Sequence, residues 1–258
     1  MAINRGIEEL SKRLGDFIDL VERRIDEKGK VRIFEAGCGY GSAMMGFVKR
    51  FGNNVDMWGL NYSEHYGNQS LMIRDSIEKG LFRNEEIKRL GNLPRFVFGD
   101  ASQRLPFEPN TFDFIYSIHA LHYFDDKIGF LEECNRILAE RGVGRFNSAF
   151  GIVGVHYPRK ETPPKYPEFW EIWDNGEEVK IWDYCERVQG VKFVGKPNGY
   201  KERGDYHPEY IEINKQPQLD FGLKLVASID FNFLWKGWTG VKSIYTTQRD
   251  FEPKWKKK

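Results

Sequence analysis

The apolar positions of the first half of the chain fall into two periods. Short runs suited to strands are Val31 to Phe34, Val55 to Leu60 (VDMWGL), Arg95 to Asp100 (RFVFGD), Phe112 to Ser117 (FDFIYS) and Val143 to Phe150 (VGRFNSAF). Between them the spacing turns helical. Ile7, Leu10, Leu14, Phe17, Ile18, Val21 and Ile25 define an amphipathic helix ahead of the first strand. Ala43 to Phe51, Glu64 to Leu81 and Asp126 to Arg141 continue the alternation, with Gly142 as the last helix's stop. Strands alternating with helices predict an α/β fold with a doubly wound, mostly parallel sheet. Ligands bind such sheets at the carboxyl ends of the strands. Gly37, Asn61, Asp100 and Ser117 fall there.

The second half reads differently. Phe221 to Phe231 and Ser243 to Arg249 are β-rich and read as two late strands, with Trp235, Gly237, Trp238 and Gly240 between them. Residues 157–218 form a long insertion rich in Pro and aromatics: Tyr157, Tyr166, Phe169, Trp170, Trp173, Trp182, Tyr184, Tyr200, Tyr206 and Tyr210. A structureless loop of that length is unusual in a compact domain, so a small subdomain is expected. Phe169 to Trp173 and Val179 to Val188 look helical there, and Val191 to Val194 with Tyr210 to Ile213 look like a short strand pair.

Composition narrows the function classes. Lys+Arg 39 against Asp+Glu 38 leaves a net charge of +1, which argues against a dedicated nucleic-acid binder. Cys38, Cys134 and Cys185 are far apart with no C-x-x-C pair, so neither a metal site nor a disulfide framework is expected. No apolar run approaches the roughly 18 residues of a membrane span, and the N-terminus has no secretory h-region. The cytoplasm is the expected compartment. The tail Lys254 to Lys258 reads as a solvated end, with a polyanion contact as the alternative.

The most informative segment is FEAGCGYGSA, Phe34 to Ala43. A strand leads into Glu35, then Gly37, Gly39 and Gly41, then a helix start. Glycine lets the backbone turn sharply and approach a ligand, and the helix start offers free N–H groups. The G-x-G-x-x-G dinucleotide fingerprint is missed, because Ser42 holds the third glycine's place and Asn61 ends the next strand. The G-K-[ST] ending of a phosphate-binding loop is absent as well.

The pattern E-x-G-x-G-x-G resembles motif I of the Rossmann-like S-adenosylmethionine-dependent methyltransferases. Gly99-Asp100-Ala101, Leu105-Pro106-Phe107 and Phe112-Asp113 extend the resemblance over residues 31–150. The run GLNYSEHY is similar to sterol methyltransferases, and the ubiquinone/menaquinone enzymes are also similar in this half. The resemblance implies S-adenosylmethionine as cofactor. It implies that Glu35 helps hold the methionine amino group while Gly37, Cys38 and Gly39 pass beneath the amino acid and sugar. Asn61 and Tyr62 fall where the ribose is held, although the family usually has Asp or Glu at Asn61. Asp100 would accept the adenine amine, Ala101 would offer its N–H to a ring nitrogen, and Ser117 closes the site. For Asp113 and Cys38 the plainer readings are a turn cap and a small packing residue.

The implied division is a helix over 1–30, a cofactor domain over 31–156 and 219–258, and an acceptor-binding lid over 157–218. By the same resemblance, the two late strands would form the antiparallel hairpin that closes a seven-stranded sheet. Methyl transfer needs alignment and exclusion of water more than marked catalytic groups. His119 and His122, after the fourth strand, are the candidates for a general base, against a plain hydrogen-bonding role in the wall. The [DN]-P-P-[YF] motif and a Pro-Cys nucleophile are absent there, so a small-molecule acceptor leads, methylated on O, N or C. RNA or protein methylation and a non-catalytic cofactor-binding regulator or partner subunit are the alternatives. A homodimer is one assembly open to such a chain.

Overall fold

The computed structural model describes residues 6–147, 170–195, 209–233 and 238–253. Residues 157–168, Phe169, Tyr200, Tyr206, Trp235, Gly237 and the Lys254 to Lys258 tail, all singled out above, lie outside them, as do residues 148–150 of the expected fifth strand. In chain order the elements begin with α1 (Glu8–Leu14), α2 (Phe17–Lys28), β1 (Val31–Ala36), α3 (Ser42–Phe51), β2 (Val55–Asn61), α4 (Gln69–Glu78) and α5 (Asn84–Ile87). They continue with β3 (Arg95–Phe98), β4 (Phe112–Ile118), α6 (Lys127–Ile137), β5 (Leu138–Asn147), β6 (Trp170–Asp174) and β7 (Glu177–Val179). The last are α7 (Ile181–Cys185), β8 (Val191–Val194), β9 (Tyr210–Asn214), β10 (Lys224–Phe233) and β11 (Trp238–Thr246).

A seven-stranded sheet runs in the order β3-β2-β1-β4-β5-β9-β8. The first five strands are parallel, and β9 and β8 are antiparallel to their neighbours. The expected mostly parallel α/β sheet is therefore present. Strand alternation sends side chains to two cores. Ile33, Phe114 and Tyr116 join one with α2 and α3, whereas Phe34 and Ile115 join the other with α6 and α7. The N-terminal apolar set covers the first face as expected. Phe17 packs edge-on to Phe47, Phe114 and Tyr116. Arg145 on β5 secures these helices: its guanidinium donates to Leu14 O, Asp16 and Glu212.

The late hairpin exists, but it does not close the main sheet. β10 and β11 pair with each other, and β11 runs parallel to β6, in a second sheet ordered β10-β11-β6-β7. The edge of the main sheet is closed by β8 and β9, the strand pair read above as part of the insertion. Ile211 and Ile213 are both fully buried and finish the core over β5. Phe169 to Trp173 is also corrected: β6 is a strand, with Trp170 and Ile172 buried on one face at period two. Val179 to Val188 contains only the short helix α7. α6 stops at Ile137, four residues before the expected end, and β5 begins at once. Among the described residues no helix is long and apolar enough to cross a membrane.

Candidate functional site

β1 ends in Glu35-Ala36, and the chain turns through Gly37, Gly39 and Gly41 at φ of 74°, 54° and 77° before α3 begins at Ser42. These left-handed values suit glycine. Space sets the same demand at Gly37, where a Cβ would lie 2.2 Å from the Cβ of Ala120. Gly37 and Cys38 donate their N–H groups to Leu60 O on β2. Cys38 packs over Gly59, where a Cβ would come 2.5 Å from its sulfur. Burial and the neighbouring Glu35 push its thiol well above the ordinary range.

Glu35 lies buried behind the turn. Its carboxyl accepts a 2.8 Å hydrogen bond from the Tyr116 hydroxyl, its register partner on β4. Desolvation pushes its pKa up to about 8, although that hydrogen bond works the other way. Asn61 is only 3% exposed, and its side chain is committed to the chain. Its oxygen accepts from Gly39 N–H at 2.9 Å, and its amide donates to Gly39 O at 2.8 Å and Gly67 O at 3.0 Å. Gly67 is a member of this knot that the sequence did not flag. A Cβ there would come 1.8 Å from Gly39 O.

Around this turn stand the ends of the other parallel strands. Tyr62 is 72% exposed after β2, and Phe98 is 41% exposed at the end of β3. Asp100 is half-buried, and its Oδ1 accepts from Ser102 N–H at 2.8 Å. Ala101 is buried beside it. Ser117 is fully buried and donates to Ala36 O, tying β4 to β1. Asp113 sits at the opposite end of β4, accepting from Lys28 and from Arg32 N–H, a capping role.

β4 runs into His119, whose φ is 55°. Its N–H donates to Asn147 O on β5. Among the described residues, neither buried ring nitrogen of His119 has a hydrogen-bond partner. His122 is fully buried in the 3-10 turn Leu121–Tyr123, its ring centroid 3.9 Å from that of Tyr123. Asn147 went unread in the sequence because its role depends on the β4–β5 register. The structure thus gathers Glu35, the Gly37–Gly41 turn, Asn61, Tyr62, Asp100, Ala101, Ser117, His119 and His122 along one edge of the sheet. Among the described residues, no group of three or more His, Cys, Asp or Glu side chains is arranged to hold a metal ion. Two clefts of about 310 and 440 Å³ lie elsewhere, beside α7 and beside the C-terminal end of α6.

Residues 34–146 match the family model described as a methyltransferase domain. The chain is 28% identical over 173 residues to the sterol 24-C-methyltransferase erg6 of Schizosaccharomyces pombe. That alignment covers 67% of this chain and 41% of the relative, so the chain spans well under half of that relative's length. Among solved structures, the [4+2]-cyclase SpnF aligns at TM-score 0.39 and 24% identity, over 56% of this chain and 47% of that one. An arsenic (III) S-adenosylmethionine methyltransferase from Chlamydomonas reinhardtii aligns at TM-score 0.38 and 21% identity, over 46% and 38%. The matched span, residues 34–146, contains the glycine turn and the strand ends around it, and over that span the chain is similar to methyltransferase domains.

Proposed function

We propose that the chain is an S-adenosylmethionine-dependent methyltransferase that acts on a small-molecule acceptor. The observation that carries this reading is the Gly37–Gly41 turn, a backbone-lined cradle with a buried carboxyl behind it. The residues present fit the cofactor. Glycine keeps the cradle open where a side chain at Gly37 would meet Ala120. Glu35 is desolvated, and an α-ammonium placed beside it would supply the missing counter-charge. Tyr62 and Phe98 offer exposed ring faces at the ends of β2 and β3, suited to stacking on adenine. Asp100 keeps its second carboxylate oxygen for the adenine amine, with Ala101 N–H beside it. Asn61, Cys38 and Ser117 act by shaping the turn, since their contacts are to the chain itself.

When bound, S-adenosylmethionine supplies a methyl group already activated on sulfur. The chain's part is to align the acceptor, exclude water and take up a proton. His119 is the first choice for that proton, with His122 next to it in sequence order. The second sheet, whose β11 packs against the Leu121–Tyr123 turn, serves as the acceptor-side wall. A small acceptor accords with the sterol substrate in the relative's name and with the net charge of +1.

Release of S-adenosylhomocysteine from S-adenosylmethionine across a panel of phenols, amines and sterols tests this reading. Acceptor-dependent release is expected. Cofactor binding with no acceptor-dependent release across the panel would assign a binding role instead.

A further inference from the structure

β4 and β5 end side by side, with Ile118 and Asn147 as their last paired residues. Three buried polar atoms without hydrogen-bond partners among the described residues belong to these two strand ends, which a backbone hydrogen bond from His119 N–H to Asn147 O joins: both ring nitrogens of His119 and Oδ1 of Asn147. Asn147 is 2% exposed, and its amide nitrogen donates to Glu209 O, just before β9. A main-chain carbonyl can only accept, so the amide orientation is fixed and the oxygen is the orphan. Buried groups of this kind are rare in native proteins, and each destabilises the fold while unpaired. The backbone adds to the cost. His119 has a left-handed φ that a non-glycine residue seldom adopts, held by its N–H bond to Asn147 O. Strain and orphaned polar atoms on two adjacent strand ends mark a place prepared for a ligand.

The atoms also specify the ligand's chemistry. Asn147 Oδ1 can only accept, so the ligand must bring a donor. A neutral imidazole has one donor and one acceptor nitrogen. A hydroxyl or amine can donate to Asn147 Oδ1 and accept from the ring N–H, whereas an alkene or another apolar carbon centre supplies neither partner. The position is on the β4–β5 side of the glycine turn, away from Tyr62 and Phe98 at β2 and β3. That separates it from the nucleoside end of the cofactor.

We infer that Asn147 and His119 form the acceptor's polar subsite and recognise an O–H or N–H group on it. This rests on the methyltransferase reading and selects hydroxyl- and amine-bearing molecules within its small-molecule class. Asn147 is a specificity-determining residue here. It fixes the donor by its oxygen, while its amide is anchored to Glu209 O.

Matched fragments test the inference: phenol and aniline against anisole and toluene, by ligand-observed NMR on protein saturated with S-adenosylhomocysteine. Phenol or aniline should bind at least about tenfold better than anisole and toluene. Asn147→Leu keeps a similar size and removes the orphan oxygen, so it should abolish that preference while S-adenosylhomocysteine affinity stays within about twofold. If Asn147→Leu fails to fold, His119→Phe provides the same comparison. Equal binding of all four fragments, binding of none, or a preference that survives these substitutions would overturn the subsite. Failure of the wild-type protein to bind S-adenosylhomocysteine would instead overturn the underlying methyltransferase reading.

Discussion

Glu35 shows how one residue can pull folding and binding in opposite directions. Its carboxyl has an ordinary pKa of 4.5 and is pushed up to about 8 by burial, with the Tyr116 hydrogen bond opposing. Between those values the folded chain holds a proton that the unfolded chain releases. Stability therefore falls as pH rises from about 4.5 through 8. Glu35→Gln removes that dependence. Urea unfolding at pH 5 and pH 8 should show a flatter profile for the variant, which gains relative to wild type at the higher pH. Its S-adenosylhomocysteine affinity should fall about tenfold or more, the loss of a charge-assisted hydrogen bond. Asn61 gives a second test at this scale. From the sequence, a carboxylate at Asn61 is the better ribose acceptor, so Asn61→Asp should preserve or tighten binding. The geometry reverses that sign, because an Asp oxygen would face Gly39 O and Gly67 O where an amide now donates. Asn61→Asp should cost about 1–3 kcal/mol of stability and weaken cofactor binding, read by thermal unfolding and calorimetry. Tighter binding would show that the side chain reaches the ribose. The motif residues were legible because their spacing is local. The committed side chain of Asn61, and the parts played by Gly67 and Asn147, depend on contacts that spacing does not encode.

At the scale of elements, the join between the second sheet and α6 is the least expected feature. Asp126 caps α6, and the Tyr245 hydroxyl accepts from the N–H groups of Lys127 and Ile128. The Lys127 side chain is fully buried and donates to Phe124 O, Val241 O and Ser243 Oγ. Desolvation pushes its pKa down to about 7, with Asp125 and Asp126 opposing. Here the unfolded chain binds the extra proton between about 7 and 10.5, so this group makes stability rise with pH in that window. Lys127→Met should remove that rise, measured by urea unfolding at pH 7 and pH 9. An unchanged slope would mean that the ammonium stays charged in the fold. The sequence marks α6 clearly through its apolar spacing and its Asp126 start. It does not mark β6, since EFWEIWD satisfies a helical spacing as well as the strand period of Trp170 and Ile172. Short apolar runs leave that choice to their packing partners.

For the whole molecule, the parallel half was legible and the closing edge was not. β1 to β5 follow from local patterns and short connections. The choice between β8–β9 and β10–β11 as partners of β5 is a long-range pairing decision, and both pairs carry suitable strand sequences. The consequence is testable. If residues 157–218 were only a lid, replacing them with a Gly/Ser linker would leave cofactor binding intact. The observed sheet loses β8, β9 and the Glu212 partner of Arg145 in that deletion. The deleted protein should therefore fail to fold cooperatively, as read by circular dichroism and thermal unfolding. A cooperative transition with retained S-adenosylhomocysteine binding would show that the edge strands are dispensable.

The central claim is that the glycine turn and Glu35 hold S-adenosylmethionine, and titration calorimetry of S-adenosylhomocysteine at pH 7 tests it most directly. NAD, FAD and ATP serve as controls, and each titration is run in two buffers of different ionisation enthalpy. S-adenosylhomocysteine alone should bind. Its heat should depend on the buffer, because the ligand's ammonium draws Glu35 from its protonated state, pKa about 8, into the carboxylate and releases a proton. Tight binding of NAD with no S-adenosylhomocysteine signal would contradict the account.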